Sequence, residues 1–217
     1  MQTDSQLKTD ILAELRWEPS VTAAHIGVTA KDGVVTLTGH VATYAEKRAA
    51  ETAAGRVKGV KGIAEEIEVK LPFDVKRGDD DVALAAVQRL GWSSMVPHDA
   101  VKVKVEKGWV TLTGQVDWHY QKDAAVAEVR YMQGVVGVSD EVTVKPQVNV
   151  ATLGNDITAA LHRSWLWDDD AHVTVAANGG AVKLSGNVDS WHDRQVAANT
   201  AWAARGTTSV ENLITVE

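Results

Sequence analysis

This chain of 217 residues contains no cysteine. That excludes a disulfide framework, a thiolate nucleophile and a thiolate metal site. It has no basic tract either, and its formal net charge is −7. A general nucleic-acid binder needs a basic surface to displace the counterions of a phosphate backbone, so that class is excluded. Attraction of the whole surface to an anionic membrane is excluded on the same ground, which leaves only local patches. No apolar run approaches the length that spans a bilayer, so no transmembrane segment is expected. The opening residues Met1-Gln2-Thr3-Asp4-Ser5 lack the basic start, apolar stretch and small-residue cleavage site of a secretory leader. As written, the expected location is the cytoplasm; a leader removed beforehand would make it the periplasm.

Catalytic signatures are missing as well. The seven histidines (His25, His40, His98, His119, His162, His172 and His192) include no pair four residues apart and no HExxH. No serine stands in a glycine elbow, and no Ser/His/Asp order suggests a triad. His172 follows Asp168-Asp169-Asp170, the nearest approach to a metal-ligand cluster, and that acidic run reads as a solvated loop. The expectation is a protein with no catalytic residue, no metal and no cofactor.

What the chain does have, it has three times. Gly33-Val34-Val35-Thr36-Leu37-Thr38-Gly39-His40-Val41 returns as Gly108-Trp109-Val110-Thr111-Leu112-Thr113-Gly114-Gln115-Val116. It returns again as Gly180-Ala181-Val182-Lys183-Leu184-Ser185-Gly186-Asn187-Val188. The intervals are 75 and 72 residues. Each copy is followed by a glycine (Gly59, Gly134, Gly206) and then a valine (Val69, Val144, Val216) at constant spacing. Tandem copies of one small fold follow, assigned to residues 1–72, 76–147 and 151–217. Units of that size bury a thin core, so neighbours are expected to support one another. The motif is not a phosphate loop: its glycines are spaced for a hairpin turn and a strand end, without a Gly-Lys-Ser/Thr tail.

Each copy reads as α-β-β-α-β. An amphipathic helix comes first, over Asp4 to Trp17, Asp79 to Trp92 and Asn155 to Trp167, with Asp or Asn placed as N-cap. Alternating strands follow, around turns at Asp32-Gly33, Lys107-Gly108 and Asn178-Gly179 that supply positive φ. Thr43-Tyr44-Ala45-Glu46 reads as a capping box that opens the second helix. The inner positions of that helix are small: Ala50 and Ala54, Ala125 and Val129, Ala197 and Ala201. A last strand carries Ile67 and Val69, Val142 and Val144, Ile214 and Val216. A helix connects strands two and three, which therefore pair in parallel. The fold class is α+β: three tandem two-layer units, each a small mixed sheet with helices on one face.

With G-x-V-x-L-x-G-x-V, the following helix, the step Val57-Lys58-Gly59-Val60 and a closing apolar strand, each unit resembles the BON domain of bacterial osmotic-stress and nodulation proteins. The third copy departs where Gly206-Thr207-Thr208-Ser209-Val210 replaces the Gly-Val-x-Gly-Val step, and its first loop is three residues shorter. The resemblance implies a bacterial, non-enzymatic protein linked to osmotic or envelope stress. It implies binding to phospholipid surfaces as in several BON proteins, or potassium sensing as in others.

Two groups of residues are candidate sites. Strand alternation places Lys102, Lys104 and Lys145 on the outer face of the middle sheet with Trp109, Thr111, Thr113 and Thr143, a surface for an anionic headgroup or an acidic protein. The aromatics Trp118, Trp191 and Trp202, near Lys122, Arg194 and Arg205, suit either an interfacial anchor or a contact between repeats. Trp17, Trp92 and Trp167 end the first helices, where the simplest reading is a core plug over the hairpin. The leading expectation is a stress-associated scaffold docking to an anionic surface, phospholipid or protein. The alternatives are a cytoplasmic sensor of a small cation and a self-associating structural protein, a homo-oligomer joined through sheet edges and tryptophan surfaces.

Overall fold

In a computed structural model the chain is described over residues 3–146, 152–163 and 172–216. The first repeat runs α1 (Asp4–Trp17), β1 (Ile26–Lys31), β2 (Val34–Val41), α2 (Tyr44–Arg56) and β3 (Gly62–Val69). The second runs α3 (Asp79–Trp92), β4 (Val101–Glu106), β5 (Trp109–Val116), α4 (His119–Arg130) and β6 (Gly137–Val144). The third runs α5 (Leu153–His162), β7 (His172–Asn178), β8 (Ala181–Val188), α6 (Trp191–Ala203) and β9 (Ser209–Val216). The three sheets are ordered β1-β2-β3, β4-β5-β6 and β7-β8-β9, so the motif strand is central in each. In the second and third sheets it pairs antiparallel with the strand before it and parallel with the strand after it. The crossover helix imposes the parallel pairing.

The hairpin turns follow the chemistry of their residues. Asp32 and Lys107 both have φ 53°, and Gly33 and Gly108 follow at 83° and 76°, two consecutive positive values as a tight two-residue hairpin requires. In the third copy the turn is Gly179-Gly180, at 56° and 91°, one residue later than Asn178-Gly179. Asn178 still pairs with Ala181 and so belongs to the strand.

The first helices begin differently from the sequence reading. Thr3 caps α1, its Oγ1 accepting the Gln6 N–H at 3.2 Å, and Asp4 is already helical. Gly78 precedes α3, and Thr152 precedes α5, which places Asn155 inside the helix; Trp167 lies outside the described residues. The aspartates instead serve the hairpin. Asp79 accepts the N–H of Lys107 at 2.7 Å and of Gly108 at 2.8 Å, and Asp4 accepts the N–H of Asp32 at 3.2 Å. Turn N–H groups have no ladder partner, and a carboxylate is their strongest acceptor. The second helices start as expected: Thr43 Oγ1 accepts the Glu46 N–H at 3.1 Å, and Glu46 accepts the Ala42 N–H at 3.0 Å.

The cores are thin and formed from one face of each sheet. In the second repeat Val82, Ala86 and Leu90 of α3 meet Val110, Leu112 and Val116 of β5, with Ala125 and Val129 of α4 beside them. In the third, Leu153, Ile157 and Leu161 meet Val182, Leu184 and Val188, with Ala197 and Ala201. A basic side chain at one position of the second helix ties that helix to the last strand in every copy. Lys47 Nζ donates to the Ile67 carbonyl at 2.7 Å, Lys122 Nζ to Val142 at 2.6 Å, and Arg194 Nε to Ile214 at 2.9 Å. The departure of the third copy is also accommodated. Thr207 stands where the others bury Val60 and Val135, and its hydroxyl donates to the Ala201 carbonyl at 2.8 Å.

Compact packing does not follow the repeats. One unit comprises Met1–Thr38, Ala49–Glu66 and Pro146–Glu217; the other comprises Gly39–Arg48 and Ile67–Lys145. Within the second unit, Tyr44 at the start of α2 packs against the core of the second repeat. Within the first, α1 and α2 are joined by Arg56, which reaches Glu14 at 3.0 Å and Glu18 at 2.9 Å. The Ser20 hydroxyl and the Arg56 guanidinium hold the Glu18 carboxyl below its ordinary pKa.

The last motif glycine gives a direct test of this architecture. Gly114 has φ 137°, and a Cβ there collides with the Ala100 carbonyl. Gly91, in α3, has nothing within 4 Å of an added Cβ. In urea unfolding, Gly114→Ala should cost about 2–3 kcal/mol. Gly91→Ala should be neutral or stabilising by about 0.5–1 kcal/mol.

Candidate functional site

The outer face of the middle sheet has the arrangement that strand alternation implies. Lys102 pairs with Thr113, Lys104 with Thr111 and Glu106 with Trp109; beyond β5, Trp109 is opposite Gly137, Thr111 opposite Ser139 and Thr113 opposite Glu141. Trp109 lies across Gly137, where a Cβ would meet its ring, and its Nε1–H donates to Ser139 Oγ at 2.8 Å. The indole is thereby held flat on the sheet, 47% exposed. The lysines have partners that spacing alone does not reveal. Lys104 Nζ is 3.0 Å from Glu106 and Lys145 Nζ is 2.9 Å from Asp117. With Glu141 on the same face, the surface mixes both signs of charge, and only Lys102 has no carboxylate within ion-pair distance among the described residues.

The candidate aromatics Trp118, Trp191 and Trp202 are all half-buried. Trp191 packs against the core of the third repeat, and Arg194 lies over its ring at 4.7 Å. Its Cδ1 also stands 3.1 Å from where a Cβ on Gly55 of α2 would be. That is a contact between the third repeat and the first, inside one compact unit. Lys122 and Arg194, the cations near these aromatics, turn inward to strand carbonyls. Trp118 precedes α4 in the chain, and Tyr120 beside it is exposed.

The core-plug reading of the first-helix tryptophans is corrected: Trp17 is 82% exposed and Trp92 is 92% exposed. Both are the last residue of their helix. The inward positions are already filled, at Leu7, Ile11 and Leu15 in α1 and at Val82, Ala86 and Leu90 in α3. A residue two beyond Leu15 or Leu90 is turned about 200° from it, away from the sheet.

Among the described residues, α3 exposes a group of apolar side chains that the sequence reading missed. Leu84 is 61% exposed and Val87 56%, with Trp92 at the end of the helix about 80° round from Leu84 and Met95, 51% exposed, just beyond it. Comparing copies position by position exposes the signal. Thr9, Asp10 and Arg16 of α1 correspond to Leu84, Ala85 and Gly91 of α3. Those three positions are polar in the first copy and not in the second, Leu12 corresponds to Val87, and Ala13 gives way to the exposed Gln88, while the core positions stay apolar. A helix that is apolar on both faces, with only one face packed, has a surface left over for binding. Among the described residues, no group of three His, Asp or Glu side chains is placed to hold a metal ion, and no helix is long and apolar enough to cross a membrane. The Asp168–Asp170 run lies outside the described residues, as does the His172 side chain.

Comparison with known proteins agrees with the repeat. The BON domain matches residues 3–70, 78–146 and 149–217. Osmotically-inducible protein Y of Escherichia coli strain K12 is 32% identical over 145 residues, covering 61% of this chain and 71% of that protein. Among solved structures, the C-terminal domain of CdsD, a structural protein of the type III secretion system of Chlamydia trachomatis, is 14% identical over 97% of both chains with a TM-score of 0.26. A second structure of CdsD is 15% identical over 96% of this chain and 91% of that one, again at 0.26. Scores that low carry no argument.

The sheet face has its own test. Trp109→Ser removes a half-buried indole and its hydrogen bond and should cost about 1–3 kcal/mol. Lys104→Gln and Lys145→Gln, each losing an exposed ion pair, should each change stability by less than about 1 kcal/mol in the same urea unfolding measurement.

Proposed function

The chain belongs to the BON domain family, and on that premise we propose a stress-associated protein that acts by binding, without a catalytic step, and docks on a phospholipid surface through the outward face of α3. The observation that carries this reading is the exposed set Leu84, Val87 and Trp92 on a helix whose other face is already packed, with Met95 just beyond its end. An apolar helix face ending in tryptophan seats about 5–10 Å into the boundary between headgroups and acyl chains. From Leu84 to Gly91 the one charge is Arg89, paired with Glu128 at 3.1 Å, and the one exposed uncharged polar residue is Gln88; the acidic residues Asp79, Asp80 and Asp81 are confined to the first turn. Lys102 and the paired Lys104 and Lys145 add a secondary preference for anionic lipid that salt weakens. The link to stress rests on the likeness to an osmotically inducible protein.

The test is co-sedimentation with vesicles of phosphatidylcholine alone or mixed with phosphatidylglycerol, at low and physiological salt. The triple variant L84S/V87S/W92S should bind at least ~10-fold more weakly, since each side chain seated in lipid contributes about 1.5–3 kcal/mol. The triple variant K102Q/K104Q/K145Q should reduce the preference for phosphatidylglycerol and leave most of the binding. Undiminished binding by the apolar variant, or no binding by the unmodified protein, would refute the α3 surface. Concentration-dependent self-association without vesicles would redirect the reading to a second copy of the chain.

A further inference from the structure

The stretch between the first two repeats, Lys70-Leu71-Pro72-Phe73-Asp74-Val75-Lys76-Arg77, carries three cations, and the hairpin turn of the second repeat adds Lys107. The fold gathers Lys70, Lys76, Arg77 and Lys107 around one solvent-open cleft of about 570 Å³, together with Glu68 and Asp79. The two carboxylates are engaged. Glu68 lies 3.3 Å from Lys70, and Asp79 accepts the backbone N–H groups of Lys107 and Gly108. Asp80 and Asp81 turn towards Gly78 and do not line the cleft.

Arg77 is held almost entirely by neutral groups. Its Nη1 donates to the Asp74 and Lys76 carbonyls, each at 2.8 Å, and its Nη2 donates to Gln133 Oε1 at 2.7 Å. The guanidinium is fixed in position with no carboxylate paired to it. Lys76 and Lys107 likewise have no ion-pair partner among the described residues. In a chain of net charge −7, the four cations Lys70, Lys76, Arg77 and Lys107 outweigh the carboxylates of Glu68 and Asp79 in one cleft and set up a local field of the opposite sign. The volume is in the range of small-molecule sites, roughly 300–1,000 Å³. The Arg77 N–H groups not spent on Asp74, Lys76 and Gln133, beside two flexible ammonium groups, can donate to phosphate oxygens.

We propose that this cleft binds a phosphate-bearing anion. The site is separate from the outward face of α3 and uses different residues. Inorganic tripolyphosphate, titrated calorimetrically into the full chain at about 0.15 M salt, should bind saturably at one site. Affinity should fall at least tenfold in K76Q/K107Q and in R77Q, and should be unchanged in K8Q, which removes an exposed lysine of α1 outside the cleft. Bound tripolyphosphate should also slow trypsin cleavage after Lys76 and Arg77. Parallel sedimentation of K76Q/K107Q with phosphatidylglycerol vesicles identifies the source. Loss of vesicle binding without tripolyphosphate binding assigns the phosphate to a lipid headgroup, and the reverse assigns it to a free anion. The proposal is overturned if neither probe distinguishes K76Q/K107Q from the unmodified protein, or if K8Q weakens binding equally. L84S/V87S/W92S leaves the cleft intact, so the two readings fail independently.

Discussion

The central strand of each repeat governs the rest of the structure. In the second and third sheets it is hydrogen-bonded on both edges, antiparallel on one side and parallel on the other. Its inward residues, Val35 and Leu37, Val110 and Leu112, Val182 and Leu184, are almost completely buried. A strand fixed on two edges and one face leaves its neighbours little choice. The hairpin must turn in two residues, the crossover helix must return over the buried face, and that helix must present small side chains to fit. The glycine at its end (Gly39, Gly114, Gly186) is at φ 116°, 137° and 131°, a region that L-residues avoid. The G-x-V-x-L-x-G-x-V pattern is the sequence record of these requirements.

This division explains which residues differ among the copies. Positions serving the central strand are held to a narrow chemistry, as the recurring basic tie to the last strand shows at Lys47, Lys122 and Arg194. Where the third copy changes a core residue, the fold satisfies the consequence, as with the Thr207 hydroxyl. Outward positions carry no such requirement. It is there that the second copy has Leu84 in place of Thr9, Trp109 in place of Val34, and the cations of its leading segment. A fold does not determine a function, so functional readings belong to these copy-specific additions and not to the shared motif.

The sequence made the architecture legible because periodicity and turn chemistry are local. Strand alternation and Gly-containing turns depend on residues a few positions apart. The span of helix α3 was legible except for its cap, which is Gly78 and not Asp79, and the outer-face placement of Lys102, Lys104 and Trp109 followed from period two. Partners distant in sequence were not legible. Asp79 reads as an N-cap because caps are local, but its carboxylate is consumed by a turn 28 and 29 residues away. Trp92 reads as core because it is large and apolar; its direction is set by Leu90 having already taken the inward position. Lys145 looks available until the fold brings Asp117 to it. Charge compensation and unclaimed apolar surface are properties of the assembled chain.

The same reasoning applies to the boundaries of the repeats. A layer of two helices on three strands buries too little apolar area to be strongly stable alone. Tyr44 and Trp191 occupy the same position, the first residue of the second helix, 147 residues apart in the chain. Tyr44 packs on the core of the second repeat, and Trp191 packs both on its own core and over Gly55 of the first. Gly55 leaves room for that indole; a side chain there would press against it. The position therefore acts as a seam in both compact units, and an aromatic there supplies apolar area that the small inner residues of the helix do not. A repeat is the unit in which the sequence is written, but stability is shared across these seams, so the unit that unfolds together need not be the one that recurs.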